Sequence, residues 1–174
     1  ATATYQIPTK VGGALANKTV TSVEVGRYNA CAIADGSLYC WGSSSWNQLP
    51  TGTAVSATPV KIGGLPKGAA INDVSVGQYG ICAVVDTNAW CWGSNASGQI
   101  GNGTVTAVKK PYLVKGALQG KSVESVVMGR DFTCAIATDD AYCWGTNLYG
   151  QTGTGNTGSS RRGQKVCCLC GKEG

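Results

Sequence analysis

The chain contains no histidine. That excludes every mechanism that needs imidazole: a Ser-His-Asp triad, a Cys-His dyad and a His-ligated metal. Charge is scarce. Asp, Glu, Lys and Arg make up 13% of the residues, about half of the usual ~25%. The nine acids are scattered, and Asp139-Asp140 sits in a turn. No catalytic constellation, no metal site and no Gly-rich phosphate motif with its Lys-Ser/Thr is legible, so we expect no enzyme activity and no cofactor. Basic residues exceed acidic ones, 14 to 9. They never gather into a block of about five or more, so Lys109-Lys110 and Arg161-Arg162 read as solvated surface and no nucleic-acid partner is expected. No apolar run reaches the roughly 18 residues of a membrane helix. Ala1 to Tyr5 show neither a basic nor an apolar leader region, and read as a mature or truncated start.

Glycine and cysteine are abundant: 26 and nine of 174 residues. Few strong helix formers and many glycines argue against a helical bundle. The dominant feature is internal repetition. Val23 to Ile33 followed by Leu38-Tyr-Cys-Trp-Gly42 recurs as Val74 to Val84 with Ala89-Trp-Cys-Trp-Gly93. It recurs again as Val126 to Ile136 with Ala141-Tyr-Cys-Trp-Gly145. The first Cys returns after 51 residues (31 to 82) and then after 52 (82 to 134). Each Trp-Gly is followed by a polar loop containing Gln48, Gln99 or Gln151. A short segment then follows around Pro59–Ile62, Pro111–Val114 or Gly163–Val166.

Each repeat reads as four short strands, at about 20–25, 30–34, 37–42 and 59–62 in the first, rich in Val and Tyr and bounded by Gly, Asp and Pro. The expectation is an all-β fold of β-propeller-type blades: three four-stranded repeats of about 51–52 residues. Three blades are too few to close a ring, so the propeller is open or completed by an oligomer. The expected layout is an N-terminal outer-strand copy over 1–17, repeats over 18–68, 69–120 and 121–166, and a Cys-rich tail over 167–174. In the simplest assembly, Tyr5–Val11 of one subunit completes the C-terminal sheet of the next, giving a ring or a filament.

Eight residues separate the paired Cys in every repeat. Asp35-Gly36 is a two-residue hairpin turn, and its register sets Cys31 opposite Cys40 at a non-hydrogen-bonded site, where side chains lie closest. The same register sets Cys82 opposite Cys91 and Cys134 opposite Cys143. Three repetitions of one workable geometry predict three disulfides, each worth about 2–3 kcal/mol for so short a loop. Such bridges predict an oxidising, extracellular or cell-surface location. The tail cysteines Cys167, Cys168 and Cys170 are expected to form a disulfide within the chain or with a neighbour.

Val-x-x-Gly, Cys-Ala-Ile, Asp-Gly, Leu-Tyr-Cys-Trp-Gly and the run Ser94-Asn95-Ala96-Ser97-Gly98-Gln99-Ile100-Gly101-Asn102-Gly103 resemble the regulator-of-chromosome-condensation repeat. The resemblance covers about residues 7 to 166 and is similar to the Cys-bearing form of secreted bacterial members. It implies propeller blades. It does not name a function, because the family includes an exchange factor for a small nuclear GTPase, a plant photoreceptor and a secreted β-lactamase inhibitor. Where the family often carries His before Cys-Ala, this chain has Asn29, Gly80 and Phe132. The cysteine pattern sets this chain against the exchange-factor reading, which requires a reducing compartment.

The expected function is therefore non-enzymatic: an extracellular binding or adhesion module of a cell-surface protein. The alternatives are a subunit of a strand-sharing surface filament or ring, and a secreted enzyme-inhibitor propeller. The partner is a protein, a glycan or copies of the same chain. Arg27, Tyr28, Gln78, Tyr79, Arg130 and Phe132 follow the first strand of each repeat and gather on one rim. Trp46 and Tyr149 lie in polar loops and are expected to be exposed. Asn17, Asn95 and Asn102 head glycosylation sequons in predicted loops.

Overall fold

The structure, a computed structural model, describes residues 7–165. It contains one 3-10 turn, Gly13–Leu15, and twelve strands. Blade 1 comprises β1 (Val20–Val25), β2 (Asn29–Ala34), β3 (Ser37–Ser43) and β4 (Val55–Lys61). Blade 2 comprises β5 (Ile71–Val76), β6 (Gly80–Val85), β7 (Asn88–Gly93) and β8 (Val108–Leu113). Blade 3 comprises β9 (Val123–Met128), β10 (Phe132–Ala137), β11 (Asp140–Gly145) and β12 (Ser160–Lys165). Each blade is a separate antiparallel meander with its strands in chain order.

The hairpin turns behave as their residues dictate. Asp35 and Gly36 adopt φ 45° and 67°, and Thr138 and Asp139 adopt φ 49° and 63°. Positive φ at both central residues matches the right-handed strand twist of a two-residue hairpin. The register follows: Cys31 faces Cys40, Cys82 faces Cys91 and Cys134 faces Cys143. The three disulfides close across these sites, with Cα atoms 4.0, 4.1 and 4.1 Å apart.

The first turn residue also anchors the entry to its blade. Asp35 Oδ1 accepts the Thr19 N–H at 3.0 Å, and Asp86 Oδ1 accepts the Ala70 N–H at 2.9 Å. Lys18 Nζ lies 3.0 Å from Asp35 Oδ2.

The core lies between blades. One cluster joins blades 1 and 2 and contains Ile33, Leu38, Val74, Val76, Ile81 and Trp92. A second joins blades 2 and 3 through Val84, Ile100, Val126, Met128, Ala135 and Trp144. The repeat-equivalent valines show what a neighbouring blade does. Val74 and Val126 are each 2% exposed, whereas Val23 on the outward face of blade 1 is 60% exposed. Covering one such side chain is worth about 1.5–3 kcal/mol.

Hydrogen bonds complete each joint. The Trp92 indole N–H donates to the Gln48 carbonyl at 2.8 Å, and the Trp144 indole N–H to the Gln99 carbonyl at 2.8 Å. Asp73 Oδ2 and Ser75 Oγ accept the backbone N–H groups of Val126 and Met128, each at 2.9 Å. Glycine is required where blades meet: a Cβ on Gly77 would lie 2.4 Å from the Gly129 carbonyl oxygen.

Two expectations about the ends are corrected. Ile7 to Gly12 forms no strand and is exposed. Residues 1–6 lie outside the described residues. Blade 3 is completed by its own β12, which pairs with β11 through Tyr142–Lys165 and Cys143–Gln164. The outer edge of β11 is thus already occupied, and no donated strand is needed there. Cys167, Cys168 and Cys170 fall outside the described residues, as does their expected pairing.

Replacing Trp92 or Trp144 by Phe keeps most of the packing but removes the indole donor from a buried carbonyl, that of Gln48 or that of Gln99, the latter keeping the Thr133 hydroxyl as a donor. Each substitution should cost about 1–3 kcal/mol, read from urea unfolding. Trp41, which is only half-buried, should cost clearly less. Equal losses at all three positions would contradict the joint.

The Lys18–Asp35 tie gives a pH signature. The hydrogen bond from Lys18, then that from Thr19, holds the Asp35 carboxyl below its ordinary 3.8. Its contribution is therefore complete above that ordinary value and is lost as pH falls through the lowered one. Lys18 is raised above 10.5, chiefly by its hydrogen bond to Asp35, so its share is lost only as pH rises through that raised value. Asp35→Asn should lower the thermal midpoint at neutral pH. The gap to the parent should close as pH falls below the ordinary 3.8 and through the lowered value of Asp35, and a gap independent of pH would show that the charge plays no part.

Candidate functional site: the loop rim across three blades

In each blade the connection between the first two strands and the loop between the last two emerge at the same end. The short connections are built alike. The N–H of Gly26, Gly77 or Gly129 donates to the carbonyl of Asn29, Gly80 or Phe132 at 2.8–2.9 Å. The glycine of each Trp-Gly pair turns the chain beside that connection with φ 107°, 117° and 108°. A Cβ there would meet the carbonyl of Tyr28, Tyr79 or Asp131 at 2.2–2.6 Å. The next N–H then donates to those same carbonyls: Ser43 to Tyr28, Ser94 to Tyr79 and Thr146 to Asp131. Connection and loop are thereby locked together, and rim side chains project from a fixed base.

The longer loops carry their own frames. Gln48 Oε1 accepts the Trp46 N–H, Gln99 Oε1 the Ser97 N–H and Gln151 Oε1 the Tyr149 N–H, at 2.8–3.0 Å. Trp46, Ser97 and Tyr149 are therefore one structural position in three blades. Asn95 and Asn147 hold the rest of the loops. Their Nδ2 groups donate to Thr104 and Thr106 carbonyls, and to Asn156 and Gly158 carbonyls. Their Oδ1 atoms accept from the Ile100 and Thr152 N–H groups at 2.9 Å.

Three sequence-predicted residues meet on this rim. The Trp46 ring of blade 1 lies 4.9 Å from the Tyr79 ring of blade 2, tilted at 53°. The Arg130 guanidinium of blade 3 lies over the same Tyr79 ring at 5.8 Å. Arg130 Nε also lies 3.0 Å from Asp131 Oδ2. From Arg130 the surface continues into a cleft of about 350 Å³ lined by Asp131, Phe132, Leu148, Tyr149 and Gln151. Trp46 is 45% exposed and Tyr149 90% exposed, as their polar loops predicted.

Other predicted residues are placed differently. Arg27 and Tyr28 form their own pair, with the guanidinium 5.2 Å from the ring. Gln78 is half-buried in the β5–β6 connection. Phe132 is not the counterpart of Tyr28 and Tyr79. It opens β10 opposite Gly145 and packs beside Gly129, so Asp131 holds the tyrosine position. Asn17 is exposed, with φ 61°. Asn102 is half-buried, and its Oδ1 accepts from Asn95 and Thr104. Asn95 is 0% exposed with its amide fully engaged, so a glycan there is corrected. Among the described residues no group of three or more His, Cys, Asp or Glu could hold a metal ion. No helix among them is long and apolar enough to cross a membrane.

Twelve strands in three radial, joint-linked meanders with their loops on one rim define a partial β-propeller. The Regulator of chromosome condensation (RCC1) repeat matches residues 35–84 and 86–136, and a second form of that repeat matches 123–151. The chain belongs to the RCC1-repeat family. The matched unit starts at the β2–β3 turn and ends in the next blade, so one sequence repeat spans a joint.

The chain is 30% identical over 152 residues to the E3 ubiquitin-protein ligase HERC2 of Homo sapiens, covering 85% of this chain and 3% of that protein. Human WBSCR16 superposes with a TM-score of 0.81 at 23% identity, over 91% of this chain and 42% of the other. Prp20p of Saccharomyces cerevisiae superposes at 0.73 with 19% identity, over 84% and 38%. The chain thus spans a small part of HERC2 and under half of either solved structure.

These findings correct the expectations of location and role. HERC2 and Prp20p are nuclear and cytoplasmic proteins, not secreted Cys-bearing forms, which overturns the extracellular adhesion, surface-filament and secreted-inhibitor readings. The expectation of location rested on the cysteine pairs alone; the pairs are closed as disulfides in the structure, and it is the relatives that overturn the location drawn from them.

Cys31→Ala with Cys40→Ala removes one cross-link and leaves little empty space. The loss in stability measured without reductant should be about 2–3 kcal/mol and should vanish when both proteins are reduced. A loss that persists under reduction would assign these positions to packing alone.

Proposed function

We propose that this chain is a protein-binding module that receives its partner on the rim formed by Trp46, Tyr79 and Arg130. One observation carries the reading: loops of three separate blades bring two aromatic rings and a guanidinium into one contiguous, partly exposed stack. Trp, Tyr and Arg dominate the energetics of protein interfaces, and an anchor held by a rigid base loses little entropy on binding. The adjoining cleft at Leu148 and Tyr149 extends the apolar surface.

The relatives support a protein partner. Prp20p has been studied for its binding properties to Gsp1p and histones, and yeast RCC1 has been solved bound to Kap60. The net charge of +5 favours an acidic partner surface over basic histones. A Gsp1p-type protein is therefore the first candidate, with core histones as the comparison. A glycan ligand has no specific observation in its favour.

Titration calorimetry with purified Gsp1p and with core histones tests the reading. Gsp1p should bind saturably, and Trp46→Ala and Arg130→Ala should each weaken binding by about tenfold or more with an unchanged circular dichroism spectrum. Parent-like binding by both variants, or binding by neither protein, would overturn it.

A further inference from the structure

The β3–β4 loop of blade 1 stands apart from β8, the outermost strand of blade 2. Between them lies a groove of about 510 Å³, with Asn47, Leu49, Pro50 and Thr53 on one wall and Lys109 and Lys110 on the other. Past Pro50 and the same two lysines it opens into an inner chamber of about 260 Å³ walled by Gln48, Ile62, Gly63, Trp92 and Pro111.

Three observations define what this space would accept. The first is charge. Neither cavity has an Asp or Glu in its wall. Lys109 and Lys110 are exposed, and the ion pairs formed among the described residues involve Lys18 and Arg130 instead. The second is polarity inside. Gln48 is 1% exposed, its Oε1 is held by the Trp46 N–H, and its Nε2 has no hydrogen-bond partner. Gln99 carries the same unmet amide at the next joint, so the amide alone selects nothing. Gln48 as a residue borders the chamber, while its Nε2 is out of contact with solvent. The third is shape: the chamber is small and mostly apolar, of a size for one side chain. The basic pair is also repeated in sequence, since Arg161-Arg162 precede Gly163 as Lys109-Lys110 precede Pro111.

We propose that this groove is a second binding site, separate from the rim, for an extended acidic segment of a partner protein. Its carboxylates lie on Lys109 and Lys110, and one apolar side chain enters the chamber. Charge-assisted bonds to two lysines set the preference for acid, and the chamber sets the spacing of the apolar residue.

The test is fluorescence anisotropy with a labelled synthetic peptide carrying one leucine among aspartates. Comparison peptides replace the aspartates by lysine or the leucine by glycine, and inorganic polyphosphate supplies anionic charge alone. Lys109→Ala with Lys110→Ala alters two exposed side chains. Gly63→Leu fills the chamber, because a Cβ on Gly63 meets no atom within 4 Å. The acidic leucine peptide should bind, and more weakly as salt rises. The double alanine variant should lose about tenfold or more in affinity, and Gly63→Leu about threefold or more. Trp46→Ala, which weakens the rim, should leave this peptide bound as in the parent, so the two sites fail or stand separately. Equal binding of the lysine peptide, or parent-like binding by the double alanine variant, overturns the proposal. So does polyphosphate competition in which the leucine makes no difference, since that describes a plain anion patch.

Discussion

The indole N–H of Trp92 meets the carbonyl of Gln48, and that of Trp144 meets the carbonyl of Gln99, both at 2.8 Å and out of contact with water. An indole can only donate, and a buried donor without a partner costs about 1–3 kcal/mol, so each tryptophan dictates where its neighbour's loop must lie. The dependence runs outward from there. The same Gln places its side-chain oxygen on the N–H two residues earlier, which fixes the residue that faces the rim. The residue so fixed in blade 1 is Trp46, and it reaches Tyr79 on blade 2. A structural joint between blades thus also positions the candidate binding surface. The groove beside Lys109 and Lys110 borders the same joint, since Gln48 and Trp92 both wall its inner chamber.

Much of this was legible where local chemistry decides structure. Asp35-Gly36 fixes the turn, the turn fixes the register, and the register sets Cys31 across from Cys40. The exposure of Trp46 and Tyr149 followed from their polar neighbours. The fourth strand was only half visible. Its Pro59–Lys61 end alternates, but Val55 to Thr58 is mostly exposed and shows no apolar pattern. The repeated Gln was visible and its role was not, because its acceptor is a backbone carbonyl that any residue possesses. Only the constant interval from Trp41 to Gln48, Trp92 to Gln99 and Trp144 to Gln151 hinted at a partnership.

The errors have physical sources too. Ile7–Val11 shares the Pro-x-Lys pattern of an outer strand, yet β3 already pairs with β4 and β11 with β12, so neither blade 1 nor the C-terminal sheet lacks its fourth strand. Asn95 has the sequence of a surface sequon, but its amide replaces backbone partners inside the loop and is buried. Phe132 was grouped with the tyrosines as a rim residue although it stands at the Asn29 and Gly80 position of its repeat, and the Gly-to-carbonyl closure counted from Gly129 places Asp131 at the tyrosine position. The compartment was misread because a cross-strand cysteine pair is set by hairpin register, while HERC2 and Prp20p are nuclear and cytoplasmic.

The central claim is that Trp92 and Trp144 are the pins of the blade joints. Indole N–H hydrogen exchange followed by nuclear magnetic resonance tests it directly, because each of the five tryptophans gives its own signal. Trp92 and Trp144 should exchange only with global unfolding, while Trp41 and the rim residue Trp46 exchange fast. Fast exchange at Trp92 and Trp144 in the folded protein would contradict the account.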